Sequence, residues 1–186
     1  MEAKELRDRI IERYKELDWK GWNLNNDSGE WTPRTLNDIF EFIGKELGYE
    51  IEQEKKPKEV LYDQVWLKRI PGTKNKIIVC AIESENSITK GSGFDLVFRN
   101  WGHKSADGEF MKLLAFNGKY RILIYYCKWD NVENDFKRFN EYFQKYPFIR
   151  DEDSLIIITC DNSLKEWKIG LFQKGKEVDV EEFSVV

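Results

Sequence analysis

Residues 60–85 read VLYDQVWLKRIPGTKNKIIVCAIESE. A β-rich run over residues 60–67 and a buried-strand run over 76–83 flank a Pro71-Gly72 turn signal, so the stretch predicts an antiparallel hairpin. In such a pair, residues whose numbers sum to a constant lie opposite. A loop centred near residues 72 and 73 sets Asp63, in the middle of the first strand, against roughly residue 82 or 83. Asp63 and Glu83 then sit side by side on one face. Side chains alternate along a strand, so Glu85 shares the face of Glu83. Three carboxylates are expected to converge at the end of the sheet. Like charges this close repel, and burying them unpaired is costly. A hard divalent cation, Mg²⁺ or Mn²⁺, removes that penalty, because Mg²⁺ takes carboxylate, water and phosphate oxygens. Such an ion polarises a phosphoryl oxygen and activates water, chemistry that suits phosphodiester hydrolysis. The competing reading makes Asp63 an exposed edge-strand residue and residues 83–86 a solvated strand end.

Outward from the hairpin, the N-terminal side reads as helix, loop and helix. Leu6, Ile10, Ile11 and Tyr14 form one stripe over residues 3–17. Trp19, Trp22 and Trp31 bracket a polar loop, and Thr32-Pro33 gives a helix start, with Thr as cap and Pro first in the helix. Leu36, Ile39, Phe40, Ile43 and Leu47 continue it over 33–47, and Gly48 supplies a left-handed stop. Tyr49-Glu-Ile-Glu-Gln alternates as a strand, which makes the hairpin part of a three-stranded meander. On the C-terminal side, a short helix over 94–100 is one option in a Gly- and Ser-rich stretch. Helices are expected over 107–116 and 132–146, and strands over 120–127, 154–160 and 167–173, the last two joined by a tight turn around Asn162. The fold class is therefore α/β (α+β, mixed sheet) with helices on both faces, in the order helix, three-stranded meander, helix, strand, helix, strand, strand, after the N-terminal helix and its loop. We expect a single domain over 1–186. It divides into an N-terminal helix and Trp-rich loop (1–32), a core (33–173) and an acidic tail or edge strand (174–186).

The 186 residues are 41% hydrophobic and 34% charged, which suits a folded chain rather than a disordered one. A net charge of -4 excludes a strongly basic protein that wraps nucleic acid by bulk charge, and leaves room for a metal centre with a local basic patch. Cys80, Cys127 and Cys160 are too far apart for a disulfide framework or a zinc site and read as buried thiols. The charged N-terminus lacks a signal sequence, and no apolar run approaches a membrane span, so a soluble, cytoplasmic protein without membrane contact is expected.

Helix, meander, helix and strand, with Asp63 on the second strand and Ile82-Glu83-Ser84-Glu85-Asn86 closing the third, resemble the PD-(D/E)XK (restriction-endonuclease-like) nuclease superfamily over residues 33–160. The resemblance implies a Mg²⁺- or Mn²⁺-dependent endonuclease-like hydrolase acting on DNA, or secondarily RNA. It assigns the metal to Asp63 and Glu83, with Glu85 a third ligand or water-orienting group. Glu85 stands where the motif lysine belongs, and Lys112 on the following helix is the candidate replacement, ahead of Lys90. The superfamily often adds an acid from the helix before the meander, here Asp38 or Glu41. It often works as a homodimer.

Lys90-Gly-Ser-Gly, and a patch of Arg99, His103 and Lys104 with Trp101, are candidates for nucleic-acid contact, against an ordinary surface loop. His103 reads as a loop residue without a catalytic role. Two alternatives stand beside the nuclease. One is a catalytically inactive nuclease-fold binding module, with the Trp19, Trp22 and Trp31 region as its partner surface. The other is an unrelated α/β enzyme for a small phosphorylated substrate, against which a Lys112–Glu83 contact would count.

Overall fold

The structure, a computed structural model, describes residues 1–22, 30–53, 62–85, 106–126, 132–161 and 163–185. Helix α1 (Ala3–Glu16) buries Ala3, Leu6, Ile10, Ile11 and Tyr14 on one stripe, as the spacing predicts. Helix α2 runs over 30–46, and its middle part, Thr35–Glu41, is π-helical. The helix starts before the Thr32-Pro33 signal. The buried Gln64 side chain accounts for the widened turn. Its amide, oriented to donate to the Leu36 carbonyl (3.2 Å) and accept from the Glu41 N–H (3.3 Å), bridges backbone groups five residues apart. The helix ends as expected at Gly48. With φ of +77°, Gly48 donates to the Lys45 carbonyl while Tyr49 donates to that of Gly44, satisfying two end carbonyls.

Seven strands follow in a single sheet whose spatial order is the order in sequence: β1 (Glu50–Gln53), β2 (Gln64–Arg69), β3 (Lys76–Glu85), β4 (Tyr120–Tyr126), β5 (Ser154–Cys160), β6 (Glu166–Gln173) and β7 (Asp179–Ser184). The first three strands and the last three pair antiparallel, whereas β3–β4 and β4–β5 are parallel. Each parallel step needs a crossover, supplied by α3 (Ala106–Ala115) and α4 (Val132–Lys145). The expected mixed sheet with helices on both faces is present, and the C-terminal acidic stretch forms the edge strand β7.

The sheet separates two cores. On one face Cys80, Ile82, Ile122, Ile124, Ile156 and Ile158 pack with α1, α2, Trp31 and Trp167. On the other, Ala81, Leu123, Tyr125, Leu155 and Ile157 pack with Phe110, Leu113 and Leu114 of α3 and Phe136, Phe139 and Phe143 of α4. Covered on both sides, β5 is buried along its whole length, which is why it reads as an unbroken apolar run.

Several details depart from the sequence reading. Asp63 precedes β2 in a bend rather than sitting mid-strand, and the run over 76–83 is buried only from Cys80, because its first part extends past the layers that cover the sheet. Trp19 and Trp31 are buried, and Trp22 is half-buried beneath the Arg34 guanidinium, 4.4 Å from its ring centre, so these tryptophans are core rather than a partner surface. Cys80 and Cys160 are buried, as expected, while Cys127 lies outside the described residues. The optional helix over 94–100, Asn162 and the loop residues Lys90, Arg99, Trp101, His103 and Lys104 also lie outside them. No helix among the described residues is long and apolar enough to cross a membrane.

Candidate active site

The β2–β3 register positions the acids. Near the turn Arg69 faces Lys76 and Leu67 faces Ile78, but Trp66 faces Cys80 and Gln64 faces Ile82. Val79 is thus an extra residue on β3, a β-bulge. An uninterrupted ladder carried one residue past Gln64 would set Asp63 against Ile82, whereas the shifted register sets it against Glu83, and the Asp63 charge acts on that residue. The Asp63 carboxylate accepts a hydrogen bond from the Ser84 N–H at 2.8 Å, which fixes it to the end of β3. The Ser84 side chain points to the opposite face, where its hydroxyl meets that of Thr32 at 3.1 Å.

Glu83 faces α3 and is 1% exposed. The Lys112 ammonium, one turn before the end of α3, reaches its Oε1 at 2.6 Å. The same ammonium pairs with Glu109, three residues earlier on the helix. Burial raises the Glu83 carboxyl to about 10. The neighbouring Glu109 and Asp63 charges push the same way, and Lys112 only partly offsets them. Burial would lower the Lys112 ammonium, but Glu109 and Glu83 outweigh it and hold the group above its ordinary range. Tyr62, also buried, is raised first by burial and then by the Glu83 charge. Glu85 is buried two residues beyond Glu83 and lies beside Tyr125 of β4.

The structure thus brings together Asp63, Glu83 and Lys112. The pairing partner Glu109 was not among the predicted residues. Its one sequence signal was an acid three residues before a lysine on a helix. Asp38 and Glu41 belong to α2, on the opposite face of the sheet. Asp38 lies 3.9 Å from Arg34, and Glu41 pairs with Lys45 and accepts from Gln53 at 3.2 Å.

Among the described residues, no group of three or more His, Cys, Asp or Glu side chains is arranged to hold a metal ion. Magnesium usually takes only one or two protein carboxylates and fills its shell with water and substrate oxygens. Asp63 and Glu83 supply hard oxygen donors on one face, which fits that requirement. No protein-family model, curated protein or solved structure matches this chain.

Proposed function

We propose that this chain is a metal-dependent nuclease of restriction-endonuclease-like architecture that hydrolyses phosphodiester bonds in DNA. One observation carries the reading. A lysine supplied by the helix after the meander lies 2.6 Å from the acid on β3, and an aspartate sits across the hairpin from that acid. This is the arrangement expected when the motif lysine has moved to the following helix. It also weighs against an unrelated enzyme for a small phosphorylated substrate.

Asp63 and Glu83 would hold the Mg²⁺ or Mn²⁺. When bound, the ion supplies a Lewis acid for the phosphoryl oxygen and a water of lowered pKa. The Ser84 N–H keeps Asp63 directed at the strand end. Lys112 keeps a positive charge beside Glu83, where it stabilises the attacking hydroxide or the developing phosphorane charge. Glu85 would be a third ligand or orient the water. Lys90, Arg99 and Lys104 remain candidates for phosphate contact.

The test is cleavage of supercoiled, linear and single-stranded DNA, and of RNA, with Mg²⁺ or Mn²⁺, by the wild type and by Asp63→Asn, Glu83→Gln and Lys112→Met. Metal-dependent cleavage lost in all three variants supports the reading, and equal cleavage by wild type and variants refutes the site. A second reading, an inactive nuclease-fold binding module, draws on the way Lys112 is already engaged by Glu83 and Glu109 within the fold. DNA binding without metal binding or cleavage would favour it.

A further inference from the structure

The far end of the β2–β3 hairpin has a different character from the rest of this acidic protein. Residues 64–82 contain four Lys or Arg (Lys68, Arg69, Lys74 and Lys76) and no Asp or Glu, in a chain of net charge -4. From Lys68 to Ile78 every residue is exposed, so the hairpin extends beyond the layers that cover the rest of β3. Ile70, Ile77 and Ile78 are half of the six exposed large hydrophobic residues among those described, and Ile77 is 49% exposed. Ile77 lies with its partner Lys68 on one face of the ribbon and Ile78 lies with Arg69 and Lys76 on the other, so each face carries an exposed isoleucine beside basic side chains.

The tip is also preformed. Ile70 donates to the Asn75 carbonyl at 2.9 Å, and Thr73 donates to that of Ile70 at 3.1 Å around Pro71 and Gly72, whose φ is +77°. Among the described residues, Lys68 and Lys74 have no acidic partner within ion-pair distance. Arg69 and Lys76 share Glu50 at 3.0 and 2.7 Å, and Lys76 lies 3.8 Å from Glu52. These pairs are solvent-exposed, so they are worth little and exchange readily for another anion.

We propose that this hairpin tip is a contact arm for duplex DNA, an inference that takes its partner from the nuclease reading. A two-stranded ribbon fits the major groove of B-form DNA, whereas the narrow, deep major groove of duplex RNA excludes it. The four cations meet phosphates, and the isoleucines lie against sugars and base edges. The geometry gives the arm a reach. Glu83 is seven residues beyond Lys76 on one strand, about 24 Å at ~3.4 Å per residue, which spans roughly seven base pairs of duplex. The arm and the acids therefore engage one duplex at two places, and the arm leaves the reacting phosphate untouched.

The experiment is fluorescence anisotropy of a labelled duplex of about 24 base pairs with the full chain in EDTA, across a range of salt concentrations. Wild type is compared with Lys68→Gln/Lys74→Gln and with a quadruple variant adding Arg69→Gln and Lys76→Gln. All the changes are on the surface, and circular dichroism checks the fold. Each lost phosphate contact lowers the slope of log K against log salt by about 0.9, so the double variant should be shallower by roughly two and the quadruple variant shallower still. Unchanged slopes and affinities overturn the proposal. So does a wild type that binds no duplex, or one that binds phosphatidylserine vesicles instead, which would make the tip a membrane contact. Cleavage separates this from the parent reading. If the wild type cuts DNA with Mg²⁺ and the variants bind it undiminished, only the arm fails. If the variants lose binding while the wild type cuts nothing, the arm stands and the nuclease reading fails.

Discussion

Replacing Glu83 with Gln in the metal-free protein should stabilise it, and increasingly so as pH rises. The unfolded chain releases the Glu83 proton near the ordinary value of 4.5, whereas the folded protein keeps it to about 10. Between those values unfolding releases a proton. Stability is therefore full below the unfolded value and falls by about 1.4 kcal/mol per pH unit as pH rises through the window. From about pH 5 to about pH 7 the wild type should lose about 3 kcal/mol on this account, or roughly 6–12 °C in Tm for a chain of this size. Glu83→Gln lacks that titration, so its Tm relative to wild type should climb by this amount over the same interval, and other ionisable groups cancel in the difference. Scanning calorimetry in EDTA at a series of pH values measures it. A Tm difference that stays constant with pH, or one that moves towards the wild type as pH rises, would refute the assignment of a buried, proton-holding Glu83.

Three further outcomes follow from other parts of the structure. Lys112→Met removes the ammonium that favours the ionised form of Glu83, so that carboxyl should keep its proton to a still higher pH, Mn²⁺ binding by calorimetric titration should need a higher pH than in the wild type, and cleavage should slow. Arg121 is buried, donates to the Leu113 and Gly118 carbonyls at 2.9 Å and pairs with Asp153 at 3.2 Å. Arg121→Met should therefore cost about 3–5 kcal/mol, read as a large fall in Tm. Gly44→Ala puts a Cβ 2.5 Å from Ile51 Cδ1 and 2.9 Å from Trp66 Nε1. Ile51 Cδ1 ends a flexible side chain, but the Trp66 indole is fully buried, so overpacking at ~1–3 kcal/mol should outweigh the helix gain of about 1 kcal/mol and lower Tm slightly.

Much of the frame was legible because each element carried its own local signal. The stripe on α1, the Gly48 stop, the Pro71-Gly72 turn and the apolar runs of β3, β4 and β5 all depend on nearby residues, and all are in the structure. What escaped depended on contacts between distant segments. Nothing local in the sequence marks Val79 as a bulge. The register estimate for Asp63 spanned Ile82 and Glu83, and the single extra residue decides between them. The π-helical turn of α2 traces to Gln64, a residue on another element. Arg7 sits in a helix that reads as charged on its outer face, yet it is buried against Asp179 and Glu181 of β7, which only the folded sheet brings within reach. At the site, the pairing of Lys112 with Glu83 was anticipated from a displaced lysine. Glu109 was missed because an acid–lysine pair on a helix is usually a solvated one.

If Asp63 and Glu83 share a divalent ion, a crystal soaked in Mn²⁺ and measured for anomalous scattering should show one peak about 2.1 Å from a carboxylate oxygen of each residue, with the Lys112 ammonium moved off Glu83. No peak between the two carboxylates, with Lys112 still seated between Glu83 and Glu109 at high Mn²⁺, would contradict a shared ion.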